Sequence, residues 1–226
     1  MNWIQRFNTF SFLDNHSYSS GLSTQEVLAG AGKKFSLELD MAPGPEAITS
    51  LDEFTSRHKG QWIFGHLAYD FASAIPYQSG KTPSRQGFGD LCFFVPEVLV
   101  RLNESDFEIS ADDPQAVYAE IMATDEERLP MAGTVQPSVQ SRLDREGYIA
   151  TIKRLQEHIL RGDCYEINFC QEFYAEDVRI DPVDAYIKLA ALSPAPFAAL
   201  YRVDEQWLAC SSPERFIKKT GDRIYS

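Results

Sequence analysis

The chain has 226 residues, a hydrophobic fraction of 44%, a charged fraction of 24% and a formal net charge of −12. This composition is typical of a globular protein with a core, and it argues against disorder over the whole length. A strongly acidic surface repels nucleic acids and anionic membranes, so neither is expected as a partner. No segment reaches about 18 consecutive apolar residues, and Met1 to Arg6 lacks the apolar core of a signal peptide, which predicts a cytoplasmic protein.

The four cysteines show neither the pattern of a zinc site nor that of a disulfide framework. None of them forms a CxxC pair, and no histidine lies nearby at the spacing of a zinc ligand. Three lie in apolar or alternating segments, which predicts buried, reduced thiols. The four residues are Cys92, Cys164, Cys170 and Cys210.

The N-terminal part predicts strands, a hairpin and a short helix. The apolar segment that begins at Phe12 is predicted to run into a polar turn at Asp14–His16, closed by an Asx hydrogen bond. Two strand-like segments, Gln25–Leu28 and Lys34–Leu39, flank a glycine-containing turn and predict a hairpin. A helix is then predicted from about Pro45 to Arg57, because proline fits the first helical turn.

The next part predicts a buried strand, a loop and a second hairpin. Gln61–Asp70 is aromatic and apolar enough for a buried strand, whereas Tyr77–Asp90 has the composition of a surface loop. Leu91–Leu102 and Phe107–Ser110 are predicted to pair as a hairpin. The segment 123–140 contains two prolines and a glycine, and it is predicted to be a linker.

The clearest predicted helix begins after Asp144. Asp144 is a favourable N-cap residue, and Gly162 can take the left-handed conformation that ends a helix. Between them, apolar residues recur at helical spacing on one face. These residues are Tyr148, Ile152, Leu155 and Ile159.

Alternation predicts a strand at Tyr165–Tyr174. Its apolar residues point one way, and its polar face carries Glu166, Asn168 and Glu172. Two interpretations stay open at this point. Such a face either lines a cavity or is simply exposed to water.

The last part predicts a helix from about Pro182 to Leu192, followed by a hairpin. The two strands of this hairpin are Phe197–Val203 and Gln206–Ser211. Strands joined by short turns are antiparallel, since a parallel pair needs a crossover connection. The mixture of hairpins with interspersed helices therefore predicts an α+β fold.

Two further segments carry candidate chemistry. Ser211–Phe216 contains Glu214 beside a proline turn, where a partly buried carboxyl group is a candidate general acid or base. A turn that faces solvent is the alternative. In Pro194–Phe197 two prolines fix a rigid entry into a strand and aim Phe197, as at the corner of a ligand pocket or of a plain core.

Several of these segments together resemble the motifs of the chorismate-binding enzymes. Gly162–Asn168 resembles the family's Gly-Asp-x-Tyr-Gln-x-Asn segment, and Pro194–Phe197 resembles its Asn-x-x-Pro-Phe/Tyr segment. Ser212–Phe216 resembles its Ser-Pro-Glu-Arg-Phe segment. The three occur in the family's order and at its approximate spacing, and upstream Gly65–Asp70 resembles its Gly-x-Leu-x-Tyr-Asp strand.

The resemblance implies antiparallel β-sheets packed as a sandwich with flanking helices, incomplete at the C-terminus. It implies an N-terminal β-rich lobe at residues 1–122, a linker at 123–140 and the first part of the chorismate-binding domain at 141–226. The activity implied first is amination of chorismate to 4-amino-4-deoxychorismate, on the route to 4-aminobenzoate and folate. A glutamine amidotransferase partner subunit would supply the ammonia.

The resemblance also assigns roles to residues of this chain. Glu214 matches the catalytic glutamate, which acts as general acid/base when the 4-hydroxyl group of chorismate leaves. The substrate cleft would include Glu166, Asn168, Ser212 and Arg215. An amino-acid pocket would be formed by Leu13, Asp14, Asn15, Pro196 and Phe197. The family uses Mg²⁺, whose ligands, like a lysine that attacks the ring, are expected downstream of Ser226, so no metal ligand is expected within the chain.

The chain departs from the family's motifs at two places. Glu166 stands where the family usually has Gln, which puts an anion near a dianionic substrate. Phe12–Asn15 stands where tryptophan-binding members carry a Leu-Leu-Glu-Ser-like segment, so the amino-acid pocket is expected to be altered or lost. Anthranilate formation remains an alternative activity, and a non-catalytic amino-acid-binding module is an alternative of another class.

Overall fold

The structure is a computed structural model, and it describes residues 1–18, 26–39, 45–69, 71, 87–124 and 137–225. The chain divides into two compact units. The first unit combines residues 1–128 with residues 182–226, and the second unit consists of residues 129–181. The predicted domain bounds differ from this division, because a strand near the C-terminus hydrogen-bonds to a strand near the N-terminus.

Most strands and helices belong to the first unit. Its strands are β1 (Thr9–Asp14), β2 (Val27–Ala31), β3 (Phe35–Leu39), β4 (Phe64–Leu67), β5 (Leu91–Val95), β6 (Val98–Leu102), β7 (Phe107–Ser110), β10 (Phe197–Val203), β11 (Gln206–Ser212), β12 (Lys218–Thr220) and β13 (Arg223–Tyr225). Its helices are a 3₁₀ helix (Asn2–Arg6), α1 (Pro45–Arg57), α2 (Pro114–Ala123) and α4 (Pro182–Leu192). The second unit contains β8 (Gln140–Ser141), α3 (Arg145–Arg161) and β9 (Phe173–Tyr174).

A six-stranded sheet forms the centre of the first unit. Its strand order is β11-β10-β1-β2-β6-β7, and every neighbouring pair is antiparallel. Because side chains alternate along a strand, Phe10 of β1 and Leu200 of β10 share one face, where both are fully buried. Val183 and Tyr186 of α4 join them in one apolar cluster. One core of the unit therefore lies between this face and the helix.

A three-stranded antiparallel sheet, ordered β3-β5-β4, covers part of the opposite face. Phe64 and Phe94 of this sheet cluster with Leu99 and Tyr201 of the larger sheet. Full burial of an aromatic side chain of this size contributes about 1.5–3 kcal/mol. The predicted α+β fold of antiparallel sheets packed face to face, with flanking helices, is confirmed.

The second unit is organised around α3, and its predicted ends are confirmed. The Asp144 carboxylate accepts the N–H of Gly147 at 2.7 Å, which makes Asp144 the N-cap. At the other end Gly162 has φ of 82°, a conformation that side chains with a Cβ disfavour. None of the residues of α3 is buried. Local capping therefore defines this helix more than packing does.

Two predicted strand arrangements are wrong. The segments on either side of Gly32 do not pair as a hairpin, because β2 lies in the six-stranded sheet and β3 in the three-stranded sheet. Gly32, with φ of 76°, turns the chain from one sheet to the other. Of the predicted strand Tyr165–Tyr174, only β9 is a strand, since its two residues pair with the two residues of β8 and no other described strand lies beside this segment.

Other predictions are modified or fall outside the described residues. The strand predicted at Gln61–Asp70 is shorter and only partly buried, and Asp70 lies outside the described residues, as do most of the predicted loop and of the predicted linker. All four cysteines are free, as predicted, but only Cys92 is buried and Cys170 is exposed. Within the part of the chain that is described, no helix has the length and apolarity needed to cross a membrane.

Candidate functional site

Strands β1 and β10 bring the two segments of the predicted amino-acid pocket together. Leu13 lies directly opposite Ala199, which follows Phe197 by two positions. Beyond the end of β1, the hydroxyl group of Tyr18 donates to the carbonyl oxygen of Pro194 at 3.4 Å. The predicted proximity of the two segments is confirmed, whereas their use as a pocket stays a prediction.

Alternation along the strands separates the side chains of this region. Leu13 and Cys210 lie on one face of the sheet, since each is opposite the same residue of β10. Phe197 and Ser212 form an opposite pair two positions further along, and therefore lie on that same face. Asp14 lies on the other face. Of the predicted pocket residues, Leu13 and Phe197 thus lie on one face of the sheet and Asp14 on the other.

The carboxylate of Asp14 is engaged by the turn that follows it. It accepts the N–H of His16 at 2.8 Å, and its second oxygen lies 3.5 Å from His16 Nδ1. Burial, and then the charge of Asp14, raises the pKa of Tyr186 of α4. The Tyr186 hydroxyl and His16 Nε2 are both buried without a hydrogen-bond partner among the described residues. The sequence did not indicate Tyr186 here, because tertiary packing of α4 brings it under β1.

Asn15 holds the turn at the end of β1. Its side-chain oxygen accepts the N–H of Ser17 at 2.8 Å, which confirms the predicted Asx hydrogen bond. Its own N–H donates to the carbonyl oxygen of Glu26 at 2.9 Å. Asn15 is buried, whereas Pro196 and Phe197 are half-buried. Within this region the Pro-Phe corner is therefore more accessible than the asparagine.

The segment that carries the predicted catalytic glutamate forms a tight turn after β11. The Ser212 hydroxyl donates to the carbonyl oxygen of Glu214 at 2.9 Å and lies 3.4 Å from its backbone nitrogen. The guanidinium carbon of Arg215 lies 4.9 Å from the centre of the Phe197 ring, which joins this turn to the Pro-Phe corner. The Glu214 side chain is exposed, so these residues alone do not bury the carboxyl group.

The other two residues of the predicted substrate cleft belong to the second unit. Glu166 and Asn168 lie in irregular backbone after α3, and both are exposed. Their predicted position on the polar face of a strand is wrong, because only the end of that segment forms a strand. Their grouping with Glu214 around one substrate stays a prediction.

The described residues do not form a metal site. No group of three or more His, Cys, Asp or Glu side chains among them could hold a metal ion. Mg²⁺ requires a near-octahedral arrangement of oxygen ligands, commonly carboxylates together with water and substrate oxygens. The described residues therefore do not fit a Mg²⁺ ion.

Residues 15–226 match the family model described as chorismate binding enzyme. The chain belongs to the chorismate-binding enzyme family. Membership agrees with the three motifs between Gly162 and Phe216 and with the antiparallel sheets of the first unit.

The relatives in this family carry two different enzyme names. The chain is 36% identical over 164 residues to aminodeoxychorismate synthase component 1 of Klebsiella aerogenes, a match that covers 70% of this chain and 36% of that protein. The same-named protein of Escherichia coli K12 is 36% identical over 84 residues, or 37% of this chain and 18% of that protein. Anthranilate synthase component 1 of Cereibacter sphaeroides is 25% identical over 177 residues, or 69% of this chain and 35% of that protein. The chain thus spans about a third or less of the length of these relatives.

Proposed function

We propose that the protein containing these residues aminates chorismate to 4-amino-4-deoxychorismate, as component I of an aminodeoxychorismate synthase. Ammonia would come from a glutamine amidotransferase partner, and the product would lead to 4-aminobenzoate and folate. The observation that carries the proposal is the 36% identity, over 70% of the chain, to a relative named for this activity. The second unit's Gly-Asp-Cys-Tyr segment at Gly162–Tyr165 and the Ala-Pro-Phe corner at Ala195–Phe197 support it as variants of family motifs.

Glu214 is the proposed general acid of this reaction. Hydroxide is a poor leaving group, so departure of the 4-hydroxyl group of chorismate requires a proton donor beside it. The Ser212 hydroxyl donates to the backbone carbonyl of Glu214, and the Arg215 guanidinium lies over the Phe197 ring, so the backbone of the turn that carries Glu214 is held next to the Pro-Phe corner. Ser212 and Arg215, with Glu166 and Asn168, are proposed to line the substrate cleft.

The remaining groups of the reaction are proposed to come from sequence beyond these residues. Mg²⁺ would be held there, as the resemblance to the family implies. A lysine that attacks the ring would also lie there. The chain of residues 1–226 by itself should therefore not convert chorismate, even when Mg²⁺ and ammonia are supplied.

The test uses the full-length protein that contains this chain, with chorismate, ammonium and Mg²⁺. Chromatography of the products should show 4-amino-4-deoxychorismate. Glu214→Gln should lower its rate of formation by about 10²–10⁴-fold, the usual contribution of a general acid. The matched control is Glu205→Gln, which makes the same change at the exposed turn between β10 and β11 and should leave the rate unchanged. Equal rates for the two variants would refute the role of Glu214.

Anthranilate formation is the second candidate, favoured by the relative named anthranilate synthase component 1 that aligns over 69% of this chain. The same product analysis separates the two. Anthranilate as the main product would replace the first proposal with the second while keeping Glu214 in its role. Turnover by residues 1–226 alone would overturn the proposed division of groups between this chain and the remaining sequence.

The amino-acid pocket is tested separately by calorimetric titration of tryptophan into the protein. We expect weak or undetectable binding, because the carboxylate of Asp14 is held by His16 and offers no donor to a ligand carboxylate. Tight binding that survives Glu214→Gln and is lost with Phe197→Ala would favour a regulatory or non-catalytic amino-acid site at the Pro-Phe corner.

A further inference from the structure

A serine hydroxyl closes the turn that carries Glu214. The Ser212 hydroxyl donates to the carbonyl oxygen of Glu214 at 2.9 Å and accepts the N–H of the same residue at 3.4 Å. Contacts of this kind between a side chain and nearby backbone define a turn locally. They do not fix the turn relative to the sheet, because both partners belong to the turn itself.

Phe197 supplies a contact that joins this turn to the sheet. The guanidinium carbon of Arg215 lies 4.9 Å from the centre of the Phe197 ring, which is the distance of a cation–π contact. Arg215 is half-buried, whereas its neighbours Glu214 and Phe216 are exposed. The arginine is therefore the member of this tripeptide that is turned back toward the sheet, while the glutamate stays open to solvent.

The register of β10 and β11 places the ring beside the turn. Phe197 is the first residue of β10, and it lies opposite Ser212, the last residue of β11. Opposite residues of an antiparallel pair lie on the same face, with their Cβ atoms about 4.5–5.5 Å apart. The ring thus stands next to the residue at which the turn begins, three positions before Arg215.

The backbone that leads into this ring is itself held at two points. The Ser211 hydroxyl of β11 donates to the carbonyl oxygen of Ser193. The Tyr18 hydroxyl donates to the carbonyl oxygen of Pro194 at 3.4 Å. Pro194 and Pro196 further restrict the backbone dihedral angles of this segment. A ring carried by such a segment is a fixed support for the arginine above it.

We propose that Phe197, which the resemblance places in an amino-acid pocket, is a positioning residue that acts on Glu214 through Arg215. The inference rests on the proposed role of Glu214 as general acid. A general acid works only within hydrogen-bond reach of the atom that it protonates, and a misplacement of about 1 Å can lower a rate by about 10²-fold. The ring limits the movement of the backbone at Glu214 and leaves its carboxyl group open to the substrate.

The contact needs an aromatic face, so its effect can be separated from that of packing. Leucine keeps an apolar side chain without such a face, whereas tyrosine keeps the face. Trp207 provides a matched control near the opposite end of β11, because the guanidinium carbon of Arg202 lies 4.8 Å from its ring. Phe197 and Trp207 are both half-buried. Replacing Trp207 therefore removes a similar contact at a distance from Glu214.

The first experiment measures consumption of chorismate by the full-length protein, so it applies to either product. Phe197→Leu should lower kcat by about tenfold and change KM by less than about twofold, because the Ser212 hydrogen bonds remain and limit the misplacement. Phe197→Tyr should keep kcat within about twofold of the wild type. Trp207→Leu should leave kcat per folded molecule unchanged. An undiminished kcat in Phe197→Leu, or a loss as large in either of the other variants, would overturn the proposal.

A double-mutant cycle tests whether Phe197 acts through the acid. In a Glu214→Gln background no carboxyl group remains to be positioned, so Phe197→Leu should change the residual kcat by less than about twofold. Arg215→Met removes the guanidinium group, and in that background Phe197→Leu should have an equally small effect. Persistence of the full loss in either background would show that Phe197 acts by another route.

Hydrogen exchange gives a measurement that needs no turnover. Exchange of the peptide that contains Glu214, followed by mass spectrometry, should be faster in Phe197→Leu than in the wild type. It should be unchanged in Phe197→Tyr and in Trp207→Leu. Unchanged exchange in Phe197→Leu would refute the holding contact even in an active enzyme. An inactive wild type would refute the proposed function, whereas the exchange rates would still decide whether Phe197 holds the turn.

Discussion

Helices α3 and α4 are both predicted from local pattern, but they differ in whether they contain buried residues. In α4, Val183 and Tyr186 are buried against the six-stranded sheet. In α3, both ends are capped as predicted, yet no residue is buried. Caps and periodicity therefore suffice to define a helix, whereas its contribution to the core depends on partners that are distant in sequence.

The test with the largest expected effect replaces a leucine by alanine in each region, once in the core on which α4 packs and once in α3. Leu200→Ala removes a fully buried side chain of β10 and should lower the free energy of unfolding by about 2–5 kcal/mol. Leu160→Ala removes a side chain of α3 that is 87% exposed and should change it by less than about 0.5 kcal/mol. Urea unfolding followed by tryptophan fluorescence, with Trp3 and Trp207 in or against the same core, measures the first effect.

Circular dichroism at the helix band, recorded in parallel, covers α3 for the second variant. A loss of stability in Leu160→Ala comparable to that in Leu200→Ala would mean that α3 is packed against a partner. The comparison between the two helices would then fail.

Two glycines extend the comparison to backbone and packing effects. A Cβ on Gly30 of β2 would lie 2.5 Å from two ring carbons of Phe64, so Gly30→Ala should cost about 1–3 kcal/mol by overpacking between the sheets. A Cβ on Gly162 would meet nothing within 4 Å, and Gly162→Ala should cost only about 1 kcal/mol because of its positive φ.

The same Gly30→Ala change in a Phe64→Leu background provides the check. Removing the ring should relieve much of the added cost, which a double-mutant cycle measures as a coupling energy. Additive effects would show that the cost at Gly30 does not arise from contact with Phe64.

The structural features that the sequence predicts best are those determined by residues that are close together in the sequence. The bounds of α1, the two caps of α3 and the hairpin of β10 and β11 all follow from turn and cap chemistry, and all are confirmed. The hairpin predicted around Gly32 is wrong because the local pattern does not reveal which sheet receives the strand after the turn. The strand predicted after Gly162 is wrong because alternation alone does not supply a neighbouring strand.

In the candidate site, too, some features are predicted from the sequence and others depend on tertiary packing. Family motifs correctly predict that Leu13 and Phe197 lie close together, although they are far apart in sequence. They do not reveal Tyr186 beneath Asp14, or the contact between His66 and Tyr201, which are 135 positions apart. Such contacts depend on how the sheets and helices pack, and no spacing in the sequence encodes them directly.

The smallest predicted effect concerns the C-terminal end of α3 and its dependence on pH. Hydrogen bonds from Arg161 and then His158 lower the pKa of the exposed Asp163 carboxyl group. A carboxyl group with a lowered pKa in the folded state stabilises that state above its unfolded pKa of about 3.9, and the benefit is lost as pH falls through the folded value. Asp163→Asn should therefore lower the protection of amides in the last turn of α3 at pH 7.

The measurement is hydrogen exchange of those amides, corrected for intrinsic rates, in the wild type and in Asp163→Asn. The difference in protection should be present from pH 5 to 7 and should shrink below about pH 4, where the wild-type carboxylate becomes protonated. Asp177→Asn, an exposed substitution in the same unit outside α3, is the control and should leave these amides unchanged at every pH. A difference that grows as pH falls below about 4 would contradict the sign derived from the lowered Asp163 pKa.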